Sequence, residues 1–231
     1  MNLSYEGYRL SDLSRKLDVM HIHPLDVLVV GATGSGKSTT LNAFFQRVVA
    51  KVGDGADPET MQVACYRFNQ LCRLWDSPGF GDGTEQDKRH AQTVKEVLRR
   101  VYRMDNEPFG LIDLVLVIVD GGSRDLGTTY RLLENAILPN LQPDRVLVAI
   151  NQADMAMKGQ HWDRAAHRPD WGLLQFLREK EESIQRRIRE STGMTIPRPV
   201  TYSALENYNI TGLYDLIIDH IPTERRPIDL W

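Results

Sequence analysis

Cysteine is scarce in this sequence: Cys65 and Cys72 are the two among 231 residues. Without metal-ligand spacing between them, they exclude a disulfide scaffold and suit a reducing compartment. Both are expected as free thiols in the core. Long apolar runs are missing too. None approaches the roughly 18 residues of a membrane span, and "MNLSYEGYRL" at the start has no basic segment leading into an apolar one. A cytoplasmic protein without a transmembrane segment is the expectation. Neither sign of charge is in excess: 28 Lys and Arg face 31 Asp and Glu, a net of −3. That balance excludes a global electrostatic footprint for nucleic acid or anionic membrane and leaves local patches open. No repeat or low-complexity linker divides the chain. The reading is one principal domain over 25–221, with a helical extension over 1–24 and a tail over 222–231.

What the sequence has is alternation. Apolar segments at 25–30, 63–68, 71–76, 112–120, 146–151 and 198–203 read as strands, most of them continuously apolar, as in a sheet covered on both faces. Helical periodicity falls between them at 37–50, 86–104, 127–138, 172–192 and 210–220, after a first helix near 9–19. This order predicts an α/β, doubly wound, mostly parallel six-stranded sheet with helices on both faces. The second and third strands have no helix between them, so one antiparallel edge strand is expected. The longest irregular stretch is 155–172, and a loop of that length in a compact domain usually carries function or moves.

The strongest chemical signal is "GATGSGKS", Gly31 to Ser38, which matches G-x-x-x-x-G-K-[ST] and sits between an apolar strand and a helix start. Gly34 and Gly36 let backbone N–H groups turn inward toward phosphate oxygens, and the helix N-terminus behind them favours an anion. Lys37 is placed to reach the β- and γ-phosphates, and the Ser38 hydroxyl to bind Mg2+. Thr33, Ser35 and Thr39 complete the candidate phosphate contacts. In "DSPG", Asp76 follows a strand and is the second Mg2+ residue, while the Gly79 N–H can meet a γ-phosphate. "VLVAINQAD" delivers Asn151, Gln152 and Asp154 to the end of another strand. One carboxylate accepts both the N1–H and 2-amino donors of guanine, so Asp154 predicts GTP over ATP. Ser203 and Ala204 close the last strand, where a backbone N–H can face the guanine O6.

Together, "GATGSGKS", "DSPG", "NQAD" and "SAL" resemble the P-loop GTPases of the Era, TrmE and septin branch, which includes the bacterial YfjP-like proteins. "DSPGFGD" looks most like the septin and chloroplast-import versions. The resemblance covers 25–221 and implies GTP and GDP binding, Mg2+, and GTP hydrolysis. It also implies that Thr60, in "DPETMQV", is the first-switch threonine, touching Mg2+ and serving catalysis. Three positions depart from the pattern. Gln152 stands where a lysine usually lies over the base. Gly34 stands where potassium-activated members carry asparagine. Phe80 stands where other switches place a water-orienting glutamine. Relatives with an apolar residue there still hydrolyse GTP, with help from other groups or a partner. The resulting expectation is a slow GTPase switch, with a GTP-dependent homodimer, a ribosome or another effector as possible partners. The alternative is a GTP-dependent assembly module with little turnover.

Other features read as structural. His21 and His23 have strand-like spacing without a further ligand cluster. The charged helix 177–190 is a solvated face. Trp162 and Trp171 suit either a partner site or a cap on the core beneath them.

Overall fold

The computed structural model describes residues 5–50, 63–81, 83–104, 106–123 and 126–228. Its chain runs through α1 (Leu10–Met20), β1 (Leu25–Gly31), α2 (Lys37–Phe45), β2 (Ala64–Arg67), β3 (Cys72–Asp76), α3 (Thr84–Leu98), β4 (Val101–Met104), β5 (Glu107–Gly110), β6 (Leu114–Asp120), α4 (Gly127–Leu132), β7 (Val146–Asn151), β8 (Trp162–Asp163), β9 (Arg168–Pro169), α5 (Trp171–Thr192), β10 (Val200–Thr201) and α6 (Ile210–Asp219). Six strands form one sheet in the order β10-β7-β6-β1-β3-β2. All neighbours are parallel except β2 with β3. The mostly parallel sheet with its antiparallel edge is the architecture that the alternation predicts.

Successive residues of β1 feed opposite cores, as strand geometry demands. Val27 and Val29 join one core with Leu17 of α1, Phe44 of α2 and Leu213 of α6. Leu28 and Val30 join the other with Val94 of α3, Ile184 of α5 and Leu133 beyond α4. Coverage on both faces is why β1, β6 and β7 read as unbroken apolar runs. Strand β1 lies between β6 and β3, so the chain departs from it to both sides, and the crevice at its carboxyl end is where such sheets bind ligands.

Several elements differ from the sequence reading. The helix expected over 86–104 ends at Leu98, and β4 and β5 pair as an antiparallel hairpin through a turn containing Asn106 at φ 67°. Valine, tyrosine and phenylalanine favour such a strand pair more than a final helical turn. The helix expected over 37–50 stops at Phe45, because the Asn42 Oδ1 accepts the N–H groups of Val49 and Ala50 and folds the chain back. Beyond α4 the helix widens into a π-turn over Leu133–Ile137. The 155–172 stretch is ordered: a 3-10 segment (Ala153–Gly159) and the β8–β9 hairpin cover a small core of Ala153, Ala156, Leu173 and Leu177. Trp162 packs edge-on against Tyr208 at 5.5 Å, whereas Trp171 lies exposed. Cys72 is buried as expected, but Cys65 is exposed, because β2 is an edge strand that turns Ala64 and Tyr66 inward and Cys65 outward.

At the end of the sheet opposite the crevice, charge is buried. Asp26 takes a two-point contact from Arg73 (2.7 and 2.6 Å) and the Trp75 indole N–H at 2.7 Å. Asp113 accepts the Asp26 N–H at 2.9 Å. Burial pushes the Asp113 carboxyl up to about 7, with the neighbouring Asp26 charge acting in the same direction. The folded protein therefore holds a proton that the unfolded chain releases near pH 4. Stability from this group is present at low pH and is lost as pH rises through about 7. Asp113→Asn, which keeps a carbonyl acceptor for the Asp26 N–H, should remove that loss. Thermal melts of both proteins between about pH 5 and pH 8 should show the variant's advantage growing with pH. A gap independent of pH would contradict the assignment.

Candidate functional site

The loop leaving β1 turns at Gly34 (φ 76°) and Gly36 (φ 87°), conformations that L side chains rarely adopt. Gly36 is also a close approach: a Cβ there would lie 2.2 Å from the Asn151 Nδ2. Two side chains from the end of β7 hold the loop. The Asn151 amide donates to the Ser35 carbonyl at 3.0 Å and its Oδ1 accepts the Ala204 N–H at 3.0 Å. Gln152 donates to the Gly34 carbonyl at 2.7 Å. Asn151 thereby joins the loop after β1, the end of β7 and the turn after β10 in one buried knot. Gln152, at the position of the usual lysine, ties the loop after β1 to the end of β7.

These elements enclose a cavity of about 310 Å³, lined by Gly34, Gly36, Lys37, Ser38, Thr39, Asn151, Gln152, Asp154, Met155, Ser203 and Leu205. Asp154 is 7% exposed, and its Oδ1 is buried without a hydrogen-bond partner among the described residues. An unpaired buried carboxylate oxygen costs free energy unless a donor comes to it. Sequence reasoning missed Met155 and Leu205. Both are exposed apolar residues on the cavity wall, and Leu205 was within reach because it directly follows Ser203 and Ala204.

At the phosphate end, the buried Lys37 ammonium donates to the Gly31 and Ala32 carbonyls at 3.2 and 3.0 Å. Asp76 is 1% exposed and its Oδ1 lacks a partner among the described residues. Burial raises its carboxyl to about 6, against the pull of the Lys37 charge and of hydrogen bonds from the Ser38 side chain and the Ser77 backbone. A buried carboxylate with a free oxygen beside a serine hydroxyl is a hard-oxygen donor set that fits Mg2+. Ser38 and Asp76 are the residues that would hold it.

Other predicted residues stand outside the cavity lining. The Thr33 N–H is donated to the Phe80 carbonyl at 2.6 Å, the Phe80 N–H goes to the Gly31 carbonyl at 3.2 Å, and Gly79 packs so closely on Thr33 that a Cβ would meet its Oγ1 at 2.4 Å. The Ser35 hydroxyl is buried without a partner among the described residues. Ala204 acts through Asn151, and Thr60 lies outside the described residues. Sequence reasoning also missed His90 of α3, whose Nδ1 hydrogen-bonds the Gly79 carbonyl while its ring meets Phe80 edge-on.

The model of the 50S ribosome-binding GTPase family matches residues 26–152. The chain belongs to this family. Among curated relatives it is 26% identical over 140 residues to the uncharacterized protein YfjP of Escherichia coli, covering 59% of this chain and 44% of the relative. It is 28% identical over 130 residues to the uncharacterized protein YkfA of the same organism, covering 55% and 41%. The chain thus spans less than half the length of these two relatives. A probable GTP-binding protein EngB of Desulfitobacterium hafniense is 27% identical over 163 residues, covering 64% and 73%. Among solved structures, Toc33 of Arabidopsis thaliana in complex with GDP and Mg2+ superposes with a TM-score of 0.66 at 17% identity, covering 96% of this chain and 93% of that one. Era of Aquifex aeolicus gives 0.54 at 18%, covering 91% and 60%. These structures share the P-loop GTPase fold with this chain.

Within that family the tight approach at Gly36 has a measurable consequence. Gly36→Ala must displace the Asn151 amide and also strain a left-handed backbone by about 1–2 kcal/mol. Nucleotide affinity should fall about tenfold, through both the loop after β1 and the displaced Asn151. Calorimetric titration with GDP, alongside a melting curve, tests this, and undiminished affinity would refute the packing argument.

Proposed function

We propose that the chain binds GTP and GDP with Mg2+ and hydrolyses GTP to GDP and phosphate as a slow switch. The observation that carries the reading is Asp154, which lines the same cavity as Lys37 and holds a buried oxygen without a partner among the described residues. Asp154 accepts the guanine N1–H and 2-amino group, while Asn151 keeps the reading strand in register with the phosphate loop. Gly34 and Gly36 shape the nest, and the Lys37 ammonium moves from loop carbonyls to β- and γ-phosphate oxygens. Mg2+, when bound by Ser38 and Asp76, supplies charge neutralisation at those oxygens. A water attacks the γ-phosphorus as the bond to the β–γ bridging oxygen breaks.

Phe80 has no group to orient that water. It is buried and its backbone is bonded to the phosphate loop, so its side chain belongs to the packing of the second switch. Thr60 is our candidate within the chain for a further catalytic and metal contact. A second copy is our candidate outside it, supported by the existence of a dimerization-deficient mutant of the similar Toc33. Isolated turnover should lie near 10^-4 to 10^-2 per second, on the order of unassisted switches. Sedimentation with GDP and with a non-hydrolysable GTP analogue, together with turnover per molecule at rising concentration, tests the pairing. A monomer in both states with constant specific activity would remove self-assistance, whereas stable GTP-bound oligomers without turnover would favour an assembly module. The family description and the Era complex with 16S ribosomal RNA nucleotides make ribosomal subunits a further candidate partner, tested by co-sedimentation.

A further inference from the structure

A second concavity of about 340 Å³ lies on the far side of the second switch, between α3 and α4. Its floor is apolar, made by Phe80, Ala91 and Leu132, and its rim is basic, with Lys88, Lys95 and Arg131. The one acid in the lining, Asp87, is engaged internally, its Oδ1 accepting the Gly81 N–H at 2.6 Å. Lys88 pairs with Glu85 at the surface. Among the described residues, no carboxylate forms an ion pair with Lys95 or Arg131. The wall carrying Leu132 and Asn135 is where the helix passes from α4 into its π-turn, an irregularity that costs regular hydrogen bonding and recurs at functional positions.

We propose that this groove docks an acidic segment of a partner protein, with an apolar side chain on the Phe80 floor and carboxylates against Lys95 and Arg131. An apolar centre with Lys95 and Arg131 beside it is poorly suited to a second basic surface and suited to an acidic one. The floor is joined to the phosphate loop by two backbone hydrogen bonds, from Phe80 to Gly31 and from Thr33 to Phe80. Any ligand that reorders the loop therefore changes the groove, and by reciprocity the docked segment changes nucleotide affinity. This coupling rests on the nucleotide reading above; the docking does not.

The test is selection of a randomised peptide library, displayed on phage, against the full chain loaded with GDP, followed by titration of the leading synthetic peptide by fluorescence anisotropy. Enriched peptides should combine acidic with large apolar residues. The charge-reversed variant Lys95→Glu with Arg131→Glu should bind the leading peptide about tenfold more weakly, as two exposed ion pairs allow. It should gain affinity for the same peptide with its acids replaced by lysine, a reversal that an unfolded variant could not produce. Peptides without acidic bias, or binding unchanged by charge reversal, overturn the proposal. Displacement of the peptide by a second copy of the chain at rising concentration also overturns it, assigning the groove to self-association. With GDP binding measured separately by calorimetry and the selection repeated without nucleotide, peptide failure beside intact GDP binding indicts the groove alone, while peptide binding to a chain that takes no GDP indicts the nucleotide reading alone.

Discussion

Asp154→Asn is expected to invert the base preference of the cavity. In the proposed binding mode the wild-type carboxylate offers two acceptor oxygens to two adjacent guanine donors, N1–H and the 2-amino group. Asparagine keeps one acceptor and aims an N–H₂ at the second donor, so one guanine donor meets another donor in a buried setting. Loss of a hydrogen bond to a charged group, with a donor left buried and unpaired, costs several kcal/mol, which puts guanine binding down on the order of 10²- to 10⁴-fold. Xanthine carries a carbonyl oxygen where guanine has the amino group, so the new amide donates to it while still accepting N1–H. Competition binding of GDP against xanthosine diphosphate, for both proteins, measures the exchange. The assignment fails if the wild type holds ADP as tightly as GDP, or if the substitution lowers all bases alike. Asp154 reaches the cavity from the 3-10 turn after β7 and is not bonded to the phosphate loop, so the loss should be confined to base choice.

Asp154, Lys37, Gly34 and Gly36 were all named from the sequence, and the structure brings them to one cavity. Phosphate and guanine recognition, as proposed, constrain residue type: glycine suits the left-handed backbone at Gly34 and the close approach at Gly36, a long cation is needed at Lys37, and a carboxylate accepts two adjacent donors. The sheet was equally legible, because a central parallel strand such as β1 must be apolar on both faces. What escaped was carried by groups without residue identity or by partners far apart in the chain. The Phe80 bonds to Gly31 and Thr33 run through the backbone, which is the same for any residue. His90 on Gly79 is a lone histidine on a helix, and nothing in its local sequence separates it from a solvated one. The β4–β5 hairpin was hidden because Val101 and Tyr102 continue the apolar spacing of α3 and mask the break after Leu98. The charge cluster joins Asp26 of β1 to Asp113, just before β6, far apart in the chain, so no local pattern announces it.

Lys37→Ala is expected to leave a folded protein whose GTP turnover is lower by at least about 10²- to 10³-fold, the usual consequence of deleting a preorganised group at developing charge. The side chain is 8% exposed, fixed at the start of α2 and bonded to the carbonyls of Gly31 and Ala32, so its cation is delivered to one place at the mouth of the loop. Charge shifts onto the β–γ bridging oxygen and the β-phosphate as the γ-phosphoryl group departs, and a cation at that position gains more in the transition state than in the ground state. The loss should therefore fall on turnover more than on GDP binding, which keeps the nest of Gly34 and Gly36 and the contacts at Asp154. Removing the ammonium also leaves two loop carbonyls without that donor, so a modest fall in melting temperature is expected beside the kinetic effect. Lys37→Arg separates the two contributions: it keeps a donor for the carbonyls and a positive charge, but spreads that charge over a larger planar group that the tight loop cannot seat in the same position. Single-turnover hydrolysis, GDP titration and melting on wild type and both variants supply the readouts. Wild-type turnover by a folded Lys37→Ala protein would remove Lys37 from the chemistry. Equal losses in GDP affinity and turnover would reduce it to a binding group.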